Sequence, residues 1–452
     1  MMKKSSVKIL VISILSIMIL VAGLVVFLSL RGEKPEDAKK SFATYAEDTE
    51  LEALAEVPKM QADGSGIENS FDNGRKNATV VMNNTKKKDY EDYLKLLQKA
   101  GFKTYVDNGE EGIAESLFTS IMKRDELVVT VVYVVNTEKT YISAENKQPL
   151  SDHLFYDKSY VKDNKTGAKT TFHMLELHDL GNSFLFQLKN GHFIVSDGGR
   201  KTDLPYLLDY LESLVPEGEK PVIEGWFFTH SHNDHTGVMS GIMSDEAMAS
   251  RVIVEGVYFN TPGKAAYAKD PTSRISGQWV EVGAMALKDS SGKRPQVYRT
   301  TAGQRYYFND LTIDIMMAQE LVSPTEFHTD INETSTWCMV TVDGQKVMLV
   351  GDASRGSMAN VLKVYHPTYL SMDVMTAMHH GSDTWNDFTD FSSVKTVLIP
   401  RHVFVESEAN LYLKSKAQEV MIYGDGSKVL TFPYEVGTAV TLPHMEWIYH
   451  KD

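Results

Sequence analysis

Thr229-His230-Ser231-His232-Asn233-Asp234-His235-Thr236-Gly237 is the stretch on which the reading of this chain turns. Three imidazoles and a carboxylate fall within six positions, spaced H-x-H-x-D-H, straight after the apolar run Val222-Ile223-Glu224-Gly225-Trp226-Phe227-Phe228. That run reads as a buried strand, so the donors sit on the loop that leaves its end. Four such groups buried together would repel or stay unsatisfied unless a cation joined them. Imidazole and carboxylate are the borderline ligands that hold Zn²⁺ and its divalent neighbours. The plainer alternative is a His-rich surface loop. The strand directly upstream is the structural context that a metal motif requires and a chance cluster lacks.

Working outward, Phe193-Ile194-Val195-Ser196-Asp197-Gly198-Gly199 is a second apolar run that stops at a carboxylate. Downstream, Val347-Met348-Leu349-Val350-Gly351-Asp352 repeats the pattern, and Asp373–Met378 reads as a strand delivering His379-His380-Gly381-Ser382. In this order the four motifs resemble the metallo-β-lactamase superfamily of metal-dependent hydrolases. The Gly-Asp and His-His-Gly-Ser forms look most like the branch that includes the competence-associated DNA-uptake proteins. The resemblance covers about residues 170 to 435. Periodicity by itself indicates only an α/β protein; the resemblance implies an αββα sandwich.

The resemblance also implies two divalent metal ions, zinc in the first place, with manganese or iron as alternatives. His230 and His232 resemble ligands of the first ion, and Asp234 and His235 ligands of the second. Asp352 resembles the bridging carboxylate, so Asp234 and Asp352 are the catalytic acidic residues expected here. His380, or its neighbour His379, resembles the last ligand of the second ion, with His380 preferred. Asp197 resembles a buried carboxylate that orients the His loop without binding metal, a role that fixes imidazole tautomers; a turn-forming Asp before Gly198-Gly199 is the alternative. The sequence departs from the family pattern at the third ligand of the first ion. The window Phe327-His328-Thr329-Asp330-Ile331-Asn332-Glu333-Thr334-Ser335 leaves two readings open, His328 or the Asn332 to Ser335 pair. Ser382, after Gly381, and His402, after a strand end, are candidates to line a substrate pocket; a tight turn is the alternative for Gly381-Ser382.

Two adjacent cations lower the pKa of a shared water and polarise the substrate. The expected activity is therefore metal-dependent hydrolysis of a small-molecule or polymer ester, with a phosphoester or phosphodiester favoured by the branch resemblance. A lactone or thioester hydrolase on the same donors is a second enzymatic reading. A metal-stabilised binding or sensory module without turnover is the reading from a different class.

The chain of 452 residues is 42% hydrophobic, enough for a sizeable core in two or three domains. A formal net charge of −14 disfavours strong nucleic-acid binding, which depends on a cationic footprint. Its one cysteine, Cys338, lies in a strand-like run and reads as a small buried apolar residue.

Ile9 to Leu30 is uncharged, apolar and long enough for one transmembrane helix. Lys3, Lys4 and Lys8 precede it, so the positive-inside rule puts the N-terminus in the cytoplasm and the rest outside. A cleaved signal peptide is the alternative, but no small-x-small site follows the apolar run. The expected organisation is a basic cytoplasmic tail (1–8), a single-pass membrane anchor (9–30), a stalk (31–75), a small α+β domain (76–150) and a catalytic domain (165–452). In the small domain, Thr79–Met82 reads as a strand, Lys88–Ala100 as an amphipathic helix through Tyr90, Tyr93, Leu94 and Leu97, and three further strand runs make a βαβββ unit. Residues 244 to about 300, punctuated by Gly263, Pro271, Gly277 and Gly292, read as a long polar insert suited to a lid or substrate wall.

Overall fold

A computed structural model describes residues 57–60, 77–109, 111–154, 168–178, 180–260, 271–322, 331–382, 393–400, 412, 414–422 and 426–443. The expected tail and anchor, nearly all of the stalk, and His328 and His402 lie outside these residues. Among the described residues no helix is long and apolar enough to cross a membrane.

The first sheet is built from β1 (Asn77–Met82), β2 (Lys103–Asp107), β3 (Leu117–Arg124), β4 (Leu127–Val134) and β5 (Lys139–Asn146), with helix α1 (Lys87–Lys99) after β1. The strand order is β1-β5-β4-β3-β2, antiparallel throughout. β4, Leu127-Val128-Val129-Thr130-Val131-Val132-Tyr133-Val134, is buried along its whole length because both its faces are covered. Leu127, Val129, Val131 and Tyr133 pack with Tyr90, Tyr93 and Leu97 of α1. Val128, Val132 and Val134 face the other way, into the core of the rest of the molecule. The expected βαβββ unit therefore gains a strand, β2. Only Val106 of its five residues is buried, so this edge strand carries no alternating apolar signal.

Next come β6 (Thr171–Met174), β7 (Ser183–Gln187), β8 (Phe193–Asp197), α2 (Leu204–Ser213), β9 (Val222–Phe228), α3 (Asn233–Ser244), the single turn α4 (Glu246–Ala249), β10 (Ile253–Val254), β11 (Gly256–Phe259), α5 (Pro271–Ala284) and β12 (Gln296–Tyr298). They are followed by β13 (Arg305–Phe308), β14 (Leu311–Met317), the turn α6 (Gln319–Val322), β15 (Trp337–Val342), β16 (Gln345–Leu349), α7 (Arg355–Val364), β17 (Ser371–Thr376), β18 (Ser393–Ile399) and β19 (Glu419–Ile422). β20 (Lys428–Thr431) and β21 (Val440–Thr441) close the second sheet. That sheet has nine strands in the order β12-β11-β9-β8-β7-β6-β20-β21, with β10 beside β9; the third sheet has seven, β13 to β19 in chain order.

Alternation along the strands sorts side chains between layers. Phe184, Phe186, Ile194, Phe227 and Tyr258 belong to the core shared with the seven-stranded sheet, and Phe227 meets Tyr306 and Phe308 edge-on at 6.0 Å. Their neighbours Leu185, Phe193, Val195, Trp226 and Phe228 point outward, where they pack with Leu207 and Leu211 of α2, Val238 and Ile242 of α3, and Val280 of α5. Cys338 is buried in β15.

The segment expected as a polar insert turns out to be structural. β11 pairs parallel with β9, Val257 opposite Trp226 and Phe259 opposite Phe228, and β12 extends the same edge. Short parallel strands buried on both faces, such as Val257-Tyr258-Phe259, show no polar alternation and are easily lost among glycines. Residues 261–270 of that segment lie outside the described residues.

This architecture positions the donors. β8, β9 and β11 run parallel, and β16 and β17 run parallel in the other large sheet. Asp197, the 229–235 loop, Asp352 and His379-His380 all follow carboxyl ends of these strands, which is where open α/β sheets bind ligands.

Candidate metal centre

Asp197 closes β8 in the left-handed region, at φ 58°. Its Oδ1 accepts the Thr229 backbone N–H at 2.8 Å, and its Oδ2 accepts the Thr229 hydroxyl at 2.8 Å. The same Oδ2 lies 2.8 Å from Nδ1 of His235, which donates to it. This buried carboxylate thus ties the loop to the strand and leaves the opposite ring nitrogen, Nε2, facing inward. His232 precedes the first residue of α3, and Asp234 and His235 occupy the first turn. The helix N-terminus favours a carboxylate there.

Gly351 brings the second sheet's contribution close. It sits at φ +54°, and a Cβ on it would come within 2.7 Å of the Thr229 side chain. Asp352 therefore enters beside the 229–235 loop. Its Oδ1 is 3.0 Å from His235 Nε2, and its Oδ2 is 3.1 Å from His380 Nε2 and 4.0 Å from His230 Nε2. His380 Nε2 also stands 3.3 Å from Asp234 Oδ2, and His230 Nε2 stands 3.0 Å from His232 Nδ1.

Among the described residues two groups of donors result. Asp234, His235, Asp352 and His380 form one, and His230, His232 and Asp352 form the other. Within each, the ligand atoms lie within 4.8 Å of one another, and Asp352 is common to both. The remaining candidates are dispersed around them. His379 Nε2 is 3.9 Å from Asp352 Oδ2, and Asn332 Nδ2 is 3.5 Å from that same ring nitrogen. Ser335 is buried, its Oγ packed under Gly351. Ser382, expected to line a substrate pocket, instead donates its hydroxyl to the His379 carbonyl at 2.6 Å, so it closes the turn. Asn182, which carries no motif signal, reaches Asp352 Oδ1 at 3.4 Å from the loop before β7. Nothing local in the sequence marks it, because its role comes only from the packing of that loop over the site.

The electrostatics follow from burial and pairing. Burial alone pushes the His235 ring down, but the carboxylates of Asp352 and Asp197 outweigh it and hold the ring well above its usual value. His380 is likewise raised against burial by Asp352 and Asp234. Burial pulls His230 well below its usual value, and the neighbouring His235 adds to this. Burial would raise Asp234 and Asp352; His380 and His235 reverse this and keep both carboxyls below the ordinary range.

The donor set fits a divalent cation. The Nε2 atoms of His235 and His380 are buried and make no well-formed hydrogen bond, although carboxylate oxygens stand 3.0 to 3.3 Å away. Ligand atoms converging without hydrogen-bond geometry are what donors around a common ion require. Four imidazoles and two carboxylates also match the ligand chemistry of zinc and its neighbours.

No protein-family model and no curated protein matches the chain. Solved structures do. The metallo-β-lactamase-fold protein YhfI from Bacillus subtilis is 13% identical, covering 56% of this chain and 97% of its own, at a TM-score of 0.37. Zn²⁺-bound PqqB from Methylobacterium extorquens is 10% identical over 56% of this chain and 88% of its own, at 0.36. Tm1679, a metal-dependent hydrolase of the β-lactamase superfamily, is 14% identical over 57% and 98%, at 0.33. At these identities and scores the likeness assigns no role to any residue here; the geometry of the donors carries the reading.

One consequence is directly measurable. Metal uptake must displace the Nε2 protons that Asp352 and Asp234 favour on His235 and His380. Binding is expected to release protons and to weaken as the pH falls below neutrality. Calorimetric titrations in buffers of different ionisation enthalpy measure the proton count, and an affinity flat from pH 5 to pH 8 contradicts this account.

Proposed function

We propose that this chain is a metal-dependent hydrolase that holds two divalent cations, zinc before manganese or iron, and cleaves a phosphoester or phosphodiester. The observation that carries the proposal is the single Asp352 carboxylate common to two converging donor groups. His230 and His232 with Asp352 would hold one cation, and Asp234, His235 and His380 with Asp352 the other. When bound, such a pair supplies Lewis acidity and a water acidic enough to ionise near neutral pH.

The protein's own groups prepare the site for that chemistry. Asp197 fixes the His235 tautomer so that Nε2 faces inward. Thr229, held by both Asp197 oxygens, keeps the loop from drifting away from Gly351. His230, His235 and His380 are buried, which excludes bulk water from one side of the site and strengthens every charge interaction there. A bridged pair of cations suits in-line displacement at phosphorus, since it steadies both the attacking and the leaving oxygen. The Gly351-Asp352 and His379-His380-Gly381-Ser382 motifs, with their likeness to the DNA-uptake branch, favour the same substrate class. We further propose that residues 9–30 anchor the chain in a membrane with the site outside the cytoplasm, which would make extracytoplasmic or surface-bound esters its substrates.

The test uses the full chain in detergent. Metal content, chelator sensitivity and turnover of bis(p-nitrophenyl) phosphate, a phosphomonoester and a lactone are measured together. His232→Ala is expected to lower the phosphodiester rate by at least about 100-fold. A metal-loaded protein inert towards every probe would favour a binding module, and a protein that takes up no metal would overturn the whole reading.

A further inference from the structure

His379 and His380 are neighbours in the chain, yet both rings address the same carboxylate oxygen. His380 Nε2 lies 3.1 Å from Asp352 Oδ2, and His379 Nε2 lies 3.9 Å from it. Ordinary backbone does not allow this readily. In a strand adjacent side chains point to opposite faces, and in a helix they diverge by about 100°. Here both residues sit in the left-handed region, His379 at φ 47°, ψ 54° and His380 at φ 53°, ψ 23°. That conformation is costly for any residue with a Cβ, and two in succession is rarer still. The fold holds it in place. The His379 N–H donates to the Gly351 carbonyl at 3.2 Å, and the His379 carbonyl accepts both the N–H and the hydroxyl of Ser382.

The two donor groups are unequal. The one containing His380 has four protein donors, and the one containing His230 and His232 has three. The His379 Nε2 is 3.9 Å from Asp352 Oδ2, close to the 4.0 Å at which His230 Nε2 stands from the same oxygen, although the His379 ring lies outside the 4.8 Å within which His230, His232 and Asp352 converge. Ligand atoms on a tetrahedral zinc lie roughly 3.4 Å apart, given Zn–N and Zn–O bonds of about 2.0–2.1 Å. Each ring's separation from Asp352 Oδ2 is therefore only slightly wider than coordination demands, and the His379 ring must swing further towards His230 and His232 to complete that group. The His379 side chain is 34% exposed, against 1% or less for His230, His235 and His380, so it has room to close that gap.

We infer that His379 is the fourth protein ligand of the cation held by His230, His232 and Asp352, and that the strained His379-His380 pair exists to aim one imidazole at each of two cations. The inference rests on the metal-site reading above and adds a ligand to it. It also replaces the two candidates that the sequence suggested for this position, His328 and the Asn332 to Ser335 pair, with an imidazole that neighbouring Asn332 touches at 3.5 Å. Imidazole is the better match for a borderline cation than an amide or a hydroxyl.

The test is a Co²⁺ titration of metal-free full-length protein, followed by visible absorbance and by competition with a chelator. His379→Asn and His379→Gly are the variants, because Asn and Gly both accept left-handed backbone and so remove the ring without adding strain. Wild-type protein is expected to take up two equivalents. Each variant is expected to keep one at wild-type affinity and to bind the other at least about tenfold more weakly. Two equivalents bound by both variants as tightly as by wild type would overturn the inference while leaving the hydrolase reading intact. A wild-type protein that binds no Co²⁺ would overturn both.

Discussion

Asp352→Asn is expected to abolish turnover and to weaken both cations at once. The substitution keeps the size of the side chain and removes the one charge that both donor groups share. A loss of at least about 100-fold in rate follows from misplacing the reacting groups alone, since an ångström of displacement costs that much. The metal-free protein should also be less stable. His235 and His380 are buried against this carboxylate, and breaking a buried pair costs about 3–5 kcal/mol when the remaining charge cannot leave.

Here it can leave, so the deficit depends on pH. His235 and His380 are raised above their unfolded value of about 6.5, so their pairing stabilises fully below that value and fades as the pH climbs through the raised folded values. Asp352 is held below its unfolded value of about 3.9, so its share is present above that and is lost as the pH falls through the lowered folded value. The variant's deficit should therefore be greatest between about pH 4 and pH 6.5. Urea denaturation of metal-free proteins across that range measures it. A variant that turns over substrate at the wild-type rate would remove Asp352 from the site altogether.

Glu145→Ala is expected to produce the largest loss of stability away from the metal centre. Glu145 is the next-to-last residue of β5 in the five-stranded sheet, and Arg299 follows β12 of the nine-stranded one. Their side chains are 2% and 3% exposed, with Arg299 Nε 3.5 Å from Glu145 Oε2. Removing the carboxylate leaves a guanidinium that cannot deprotonate, so the cost should reach about 3–5 kcal/mol. Glu320, buried nearby, has its carboxyl raised by burial with Arg299 only partly offsetting the rise, so it does not replace Glu145 as the partner. The paired replacement Glu145→Leu with Arg299→Met should recover most of the loss, as apolar substitutes for buried ion pairs often do. Denaturant midpoints of the three proteins decide the matter; a single-variant cost under about 0.5 kcal/mol, the range of ordinary surface changes, is incompatible with a buried pair. The same seam explains why the five-stranded sheet and the two larger ones share a core. Ser151 Oγ meets Tyr258 Oη at 2.8 Å across it, and Asn136 donates to the Val364 carbonyl at 2.9 Å.

Much of the centre was legible because its information is local. The H-x-H-x-D-H spacing places donors on both sides of a strand-to-helix turn, and Asp197 and Asp352 each end an apolar run. What escaped was set by packing. β2 gives no strand signal because an edge strand needs only one buried side. The 244–300 segment reads as an insert because short parallel strands lack alternation. Ser382 reads equally as a pocket residue or part of a tight turn, because a sequence does not say whether a hydroxyl points outward or back at its own turn.

The linear order of residues determined which chemistry this protein can host, since ligand type and spacing along a strand and its following loop are properties of consecutive residues. Only the folded chain decided how the ligands divide. Asp352 stands 118 positions beyond Asp234, and His380 a further 28, yet all three meet within one small volume. That convergence comes from two sheets stacked with their parallel strand ends aligned, and from a glycine at 351 that lets them touch. It depends on contacts between segments far apart in the chain, which no local pattern encodes.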